Sequence, residues 1–300
     1  MKTLITGGTG LVGSAISADV KLNSKDANLI SWEETKDVFL KHKPARVVHT
    51  AARVGGVGGN MSAKGEYYYD NIMINTNVLE ACRITGVKKL VSLLSTCVFP
   101  DKVEYPLTEK KFHLGEPHSS NYGYSYAKRM IDVQSKVYRA QYDVNFVSVI
   151  PTNIYGPNDN FDVANGHVLP SLIHKCYLAK KNNTDLTIWG SGAPLREFIY
   201  SKDVGKLVTW VLENYNEAEP IILSPSKEIS IKDLVGLIVD AVGFTGAVVF
   251  DTSKPEGQFR KPTDNSKLKS YLPDFEFVSI ETGIRETVDW FEQNFEHARK

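Results

Sequence analysis

The chain has 300 residues, 42% of them hydrophobic, and its 35 Lys and Arg balance 35 Asp and Glu, giving a formal net charge of zero. That length supports one large domain or two unequal ones with ample core. Balanced charge without a like-charge run lacks the basic stripe that a nucleic-acid or membrane-surface binder needs, so small-molecule chemistry is the expected class.

No long apolar stretch opens the chain and nothing later has the length of a membrane span, so a cytoplasmic location is expected. Cys82, Cys97 and Cys176 have no paired spacing for zinc or a disulfide framework, and no metal is expected. Residues 2–6 read as a buried strand that runs straight into glycines at 7, 10 and 13, after which residues 11–17 read as helix. Strand, glycine turn and helix are the dinucleotide-binding arrangement, because small residues let backbone amides approach a pyrophosphate at the positive end of the helix. This places Gly7, Thr9, Gly10, Leu11, Val12 and Gly13 at a cofactor. The next strand arrives early, in residues 20–26. Ser24 and Lys25 there suit the 2′-phosphate of NADP, while Asp26 leaves an NAD ribose open.

Ser31 opens a helix over residues 31–42 with Glu33 and Glu34 in its first turn, where negative charge suits the dipole. Residues 46–52 form the next buried strand. Its end at Ala51 and Ala52, leading into the glycine-rich residues 53–59, lets backbone pass close to a cofactor, or else forms a flexible surface loop. Helical apolar spacing over 71–86 puts Cys82 in the core. Residues 89–95 read as a parallel-sheet strand, apolar nearly throughout, and deliver Ser95, Thr96 and Cys97 at its carboxyl end, where open parallel sheets bind ligands.

Tyr124 and Lys128 stand four apart in a helical stripe, which puts phenol and ammonium on one face. An adjacent cation is expected to lower the phenol pKa toward proton transfer near neutrality. Chance alone supplies about one Tyr-x-x-x-Lys in such a chain, and Tyr177 with Lys181 is a second match. The strand end at Ser95 upstream of the first pair selects it. Residues 146–150 make one more buried strand, ending at Pro151. Five strands alternating with helices specify an α/β fold with a doubly wound parallel Rossmann sheet. Beyond Gly156 the pattern changes to short strands such as 186–189 and helices over 203–213, 230–242 and 280–295, a smaller C-terminal α/β substrate domain. The expected division gives 1–152, with 197–224 returning, to the cofactor, and 153–196 with 225–300 to the substrate.

The glycines at 7, 10 and 13 with Ser95, Tyr124 and Lys128 resemble the extended short-chain dehydrogenase/reductase family, whose members process nucleotide sugars. Val54-Gly55-Gly56, Ser95-Thr96-Cys97-Val98-Phe99-Pro100, Pro151-Thr152-Asn153-Ile154-Tyr155-Gly156-Pro157-Asn158-Asp159-Asn160-Phe161 and Gly166-His167-Val168-Leu169-Pro170 are similar to its GDP-L-fucose synthase branch. Leu195-Arg196-Glu197-Phe198 extends the likeness, which covers almost the whole chain. The resemblance implies NADPH-dependent 3,5-epimerisation and 4-keto reduction of GDP-4-keto-6-deoxy-D-mannose. It implies Ser95 and Tyr124 at the O4 oxygen, Lys128 at the nicotinamide ribose, Cys97 as base and His167 as acid. Pro151 and Asn153 would touch the cofactor, and Asn153, His167, Lys175, Trp189 and Lys261 the sugar nucleotide, with Arg196 on the diphosphate. A homodimer through residues 71–86 and 122–142 is implied as well. The chain departs from the family between Gly13 and Lys25, where about ten residues fewer than usual bear on the adenine-ribose pocket. Another NAD(P)-dependent nucleotide-sugar epimerase or dehydratase would carry other residues after the serine. A non-catalytic NADP-binding protein would be expected to lose Tyr124 or Lys128, and both are present.

Overall fold

A computed structural model of the chain describes residues 1–254 and 258–300. The first half alternates β1 (Thr3–Thr6), α1 (Leu11–Ser14), β2 (Val20–Leu22), α2 (Trp32–His42), β3 (Arg46–His49), α3 (Val57–Ser62), α4 (Lys64–Ile84), β4 (Lys89–Leu93), α5 (Tyr122–Tyr142) and β5 (Asn145–Pro151). The second half holds β6 (Asn153–Tyr155), α6 (Val168–Asn182), β7 (Leu186–Trp189), β8 (Leu195–Tyr200), α7 (Ser201–Asn214), β9 (Ile221–Leu223), β10 (Glu228–Ser230), α8 (Ile231–Val242), β11 (Val248–Asp251), α9 (Ser266–Tyr271) and α10 (Ile280–Gln293).

Among the described residues the large sheet runs β2-β1-β3-β4-β5-β9, parallel throughout. Successive side chains of a strand point to opposite faces, so continuous apolar strands need helices on both. Leu4, Val47, Leu90 and Phe146 enter one core with Phe39 of α2, Leu79 of α4 and Ile131 of α5. Their neighbours Ile5, Val48, Val91 and Val147 enter the other core with Val12 of α1 and Val204 and Leu207 of α7. Each such burial contributes about 1.5–3 kcal/mol. A third core joins Tyr155, Phe161, Ile173 of α6, Phe198 of β8, Leu234 of α8 and Phe291 of α10. It supports the small sheets β10-β8-β6 and β11-β7. Residues 197–200, as part of β8, therefore sit in a small sheet between β10 and β6, while α7 packs on β3 and β4 and β9 edges the large sheet.

β2 and β3 end early, at Leu22 and His49, and three further elements differ from the sequence expectation. Helix α1 is four residues long and stops at Ser14, not at residue 17, because the chain must return to β1 by Val20; Lys21 Nζ donates to the Ser14 carbonyl at 3.2 Å. Helix α4 begins at Lys64, well before residue 71, since its first turns are held by polar contacts that apolar spacing does not register. Asn71 Oδ1 accepts from the Arg53 amide and Asn71 Nδ2 donates to the Arg53 carbonyl. Strand β4 ends at Leu93, and Ser95 opens a tight turn over Thr96–Val98.

Candidate active site

A cleft of about 1470 Å³ opens at the carboxyl ends of the large sheet and reaches the third core. Its floor is the glycine turn after β1. Gly7 takes a left-handed φ of 72°, where a Cβ would lie 2.9 Å from the Ala51 amide nitrogen. A Cβ on Gly13 would collide with the Gly7 carbonyl, so this residue packs helix against turn and stays behind the lining. Gly7, Thr9, Gly10, Leu11, Val12, Ser24, Ala51, Ala52, Pro151 and Asn153 all line the cleft. Lys25 does not: its side chain is exposed and its amide donates to Asn23 Oδ1 at 2.8 Å.

Ser95, Cys97, Tyr124 and Lys128 meet on one wall. Ser95 Oγ accepts from the Cys97 amide at 3.4 Å, so the strand-end serine itself folds the turn that presents the thiol. Lys128 is buried and Nζ donates to the Leu93 carbonyl at 2.9 Å, tying α5 to the end of β4. Burial lowers its pKa to about 8, against a smaller opposing effect of Cys97. Tyr124 reverses the sequence expectation. Burial pushes its phenol well above the ordinary value, and Cys97 and Tyr67 act in the same direction. The ammonium lies 5.9 Å from the ring centroid with one N–H committed to Leu93, too little to offset desolvation. Tyr177 and Lys181, the second Tyr-x-x-x-Lys, pack against Phe295 away from the cleft.

The facing wall comes from the second half of the chain. His167 is the N-cap residue of α6, yet its side chain makes no capping hydrogen bond. The ring is open to the cleft but enclosed by it, and desolvation lowers its pKa. Lys175 Nζ lies 4.9 Å above the Trp189 ring, and burial lowers the lysine pKa. Arg196 and Lys261 complete the polar lining, both with pKa values lowered by burial. Asn153 Nδ2 donates to the Glu197 carbonyl at 2.7 Å. Among the described residues no cluster of three or more His, Cys, Asp or Glu is placed to hold a metal ion.

The structure adds residues that the sequence did not single out. Arg129 is buried beside Lys128, and its Nε donates to the Val98 carbonyl at 2.6 Å, fixing the turn that carries Cys97. Lys128, Arg129 and Lys261 all lie within electrostatic reach of the sulfur. A buried relay runs from Thr6 Oγ1 to His49 Nδ1 at 2.8 Å, from His49 Nε2 to Asn75 Oδ1 at 3.0 Å, and from Asn75 Nδ2 to the Ala127 carbonyl at 3.1 Å. Because the Ala127 carbonyl can only accept, Asn75 turns its oxygen to His49, whose Nε2 therefore carries the proton. Burial, reinforced by Lys128, lowers the His49 pKa to about 3 and keeps it neutral. Asp159 also lines the cleft, buried, with Oδ2 unpartnered. In the sequence it stands within the family-like segment 151–161 and is given no role of its own.

A glycine-turn dinucleotide fold whose cleft holds a strand-end serine beside a helical Tyr-x-x-x-Lys defines a nicotinamide-dependent enzyme of the short-chain reductase class. Residues 3–223 match the NAD dependent epimerase/dehydratase family. A GDP-L-fucose synthase of Dictyostelium discoideum is 52% identical over 99% of this chain and 97% of its own. A probable GDP-L-fucose synthase of Drosophila melanogaster is 44% identical over 100% of this chain and 99% of its own. The crystal structure of a GDP-L-fucose synthetase from Naegleria fowleri bound to NADP matches with a TM-score of 0.95 at 47% identity, covering 99% of this chain and 94% of that one. The chain belongs to the NAD dependent epimerase/dehydratase family, among its GDP-L-fucose synthases.

Proposed function

We propose that this protein converts GDP-4-keto-6-deoxy-D-mannose to GDP-L-fucose, inverting C3 and C5 and then reducing the C4 ketone with NADPH. The observation that carries the reading is that Cys97 and the Tyr124–Lys128 pair share one cleft with His167, which enters from the other half of the chain. Full-length likeness to GDP-L-fucose synthases supports the substrate.

The glycine turn fits a dinucleotide, since it leaves no Cβ where a pyrophosphate would rest and opens onto Ser24 at the sheet edge. The bound coenzyme supplies hydride. Lys128 would hold the nicotinamide ribose with its remaining N–H groups, and Lys25, exposed beside the lining, would hold a 2′-phosphate. A C4 ketone acidifies the hydrogens on C3 and C5. At C3 Cys97 takes the proton from one face and His167 delivers one to the other; Cys97 then gives its proton to solvent and His167, whose pKa is lowered, takes one from solvent before the same pair acts at C5, each proton transfer contributing about 10² to 10⁴. Tyr124 keeps its proton in the resting site because burial raises its pKa, so it is loaded as the acid that protonates O4. Ser95 Oγ accepts from the Cys97 amide and so retains its own hydrogen for the same oxygen. Arg196 offers a planar fork to the diphosphate, with Lys175, Trp189, Asn153 and Lys261 around the sugar nucleotide.

The large-sheet unit acts as the cofactor domain and the part built on the third core as the substrate domain. The protein works in the cytoplasm as a homodimer through α4 and α5, a reading supported by exposed Tyr69, Val133 and Val137 on those helices. Among the described residues no helix is long and apolar enough to cross a membrane. The test is incubation of the pure protein with NADPH and GDP-4-keto-6-deoxy-D-mannose. Loss of reduced-nicotinamide absorbance with GDP-L-fucose as product is expected, and no turnover by folded protein overturns the reading.

A further inference from the structure

The glycine-rich run over residues 55–59 is not a loose surface loop. Its Gly56 amide donates to the Asn165 carbonyl at 2.7 Å, two residues before His167. A Cβ on Gly56 would lie 2.5 Å from the Gly166 carbonyl oxygen, a backbone atom that cannot step aside as a flexible side chain does. The run is itself braced. Asn60 Nδ2 donates to the Gly55 carbonyl at 2.8 Å and to the Gly56 carbonyl at 3.1 Å, and the Tyr67 hydroxyl fills the space where a Gly55 Cβ would stand. Arg53, paired with Asp70 and Glu66, covers the Tyr67 ring at 5.0 Å.

The loop on the other side is braced from within as well. Asp162 Oδ1 accepts from the amides of Ala164 and Asn165 at 2.8 and 2.6 Å, and Ser171 Oγ donates to the Asp162 carbonyl at 2.8 Å. The loop is thus rigid within itself and anchored to α6, and its approach to the opposite wall is set where it touches Gly56. We infer that Gly56 is a positioning residue for His167: its amide and its missing side chain clasp the Asn165–Gly166 backbone and set the distance of the imidazole from the wall that carries Cys97. The inference rests on the proposed role of His167 as the acid of epimerisation.

Misplacement of a catalytic group by about 1 Å costs on the order of 100-fold. Gly56→Ala is expected to slow inversion at C3 and C5, read as solvent-deuterium incorporation into the epimerised sugar, by about 10- to 100-fold. NADPH affinity, read by nicotinamide fluorescence, is expected to change less than about twofold, an interval set against that 100-fold. Gly65→Ala, with nothing within 4 Å of its Cβ, serves as the neutral control. The deciding measurement is the double-mutant cycle with His167→Gln. Gly56→Ala should add nothing to a protein that already lacks the imidazole, whereas an additive loss means that Gly56 acts on folding or binding and overturns the inference. Should Gly56→Ala not fold, Asn60→Ala loosens the same clasp, and its smaller loss must likewise vanish beside His167→Gln. If His167→Gln alone leaves inversion intact, the acid role of His167 has failed, a result separate from either outcome at Gly56.

Discussion

The two walls of the cleft are built by different means. Cys97 and Tyr124 are carried by the tight turn after β4 and by α5, a 21-residue helix, and Lys128 ties α5 to the end of β4 through the Leu93 carbonyl. His167 is carried by a loop whose order comes from backbone hydrogen bonds, to Asp162 on one side and Gly56 on the other. The first wall stands on β4 and α5, which the apolar burial of the sheet holds in place, and buried hydrogen bonds from Lys128 and Arg129 tie its turn to them, so its geometry survives as long as the fold does. The second is fixed by a few polar contacts, each with a net contribution of about 0.5–1.5 kcal/mol, and can shift without unfolding anything. Acid and base for epimerisation thus sit on supports of unequal stiffness, and substitutions on the two walls should fail in different ways.

The largest effect is expected at the base. Cys97→Ser replaces the thiol with a hydroxyl that is far harder to ionise, and deuterium incorporation at C3 and C5 should fall by about 10³ or more. NADPH binding should persist, because the glycine turn is untouched; unchanged exchange would remove Cys97 from its role. Tyr124→Phe should next lower ketone reduction by about 10² to 10³ while sparing exchange. Single-turnover NADPH oxidation beside deuterium wash-in separates these outcomes, and equal loss of both would make Tyr124 a structural residue.

A third test sharpens the contrast through pH. Lys128 has a pKa lowered to about 8, so it is charged below that value and loses its charge as pH rises through it. Reduction should therefore fall about tenfold per pH unit above 8, whereas NADPH oxidation that stays flat to pH 9.5 or so would show that the ammonium charge is dispensable. A Lys128→Met variant should be slow at every pH and lose that limb.

The stiff wall is also the one that could be read from the chain. A buried strand announces itself by an apolar run, a helix by spacing, and the positions of Ser95, Tyr124 and Lys128 relative to those elements put the three side chains together before any contact was known. What stayed hidden depends on contacts between residues distant in sequence. The relay from Thr6 through His49 and Asn75 to Ala127 joins four separate elements, and none of its members lies in a motif that spacing can select. The direction of the Tyr124 pKa was misjudged for a related reason: spacing supplies the neighbouring cation but not the dryness of the site, and desolvation outweighs the charge. The clasp at Gly56 was visible only as a choice between cofactor contact and loose loop, because a glycine records that something approaches and not what it is.

The smallest expected effect belongs to the loop wall and concerns stability. Asp159 is buried with Oδ2 unpartnered, its Oδ1 accepting from the Asn160 amide at 2.7 Å, and Arg299 is the nearby cation. Burial raises its pKa from the ordinary 3.8 to about 7, against the opposing effects of the Asn160 amide and Arg299. Between those two values the native carboxyl still holds a proton that the unfolded chain has released. The native state therefore binds more protons, and stability must fall as pH rises across that window and level off above it. About three pH units at roughly 1.4 kcal/mol each set an upper bound of about 4 kcal/mol. Asp159→Asn keeps the shape of the neutral acid and removes the titration. Its melting temperature should match the parent near pH 4 and exceed it by a few degrees near pH 8, at about 2–4 °C per kcal/mol. Melting curves that run parallel across the whole range would mean that the carboxyl is charged and paired in the native loop, and that the wall carrying His167 is stiffer than its hydrogen bonds imply.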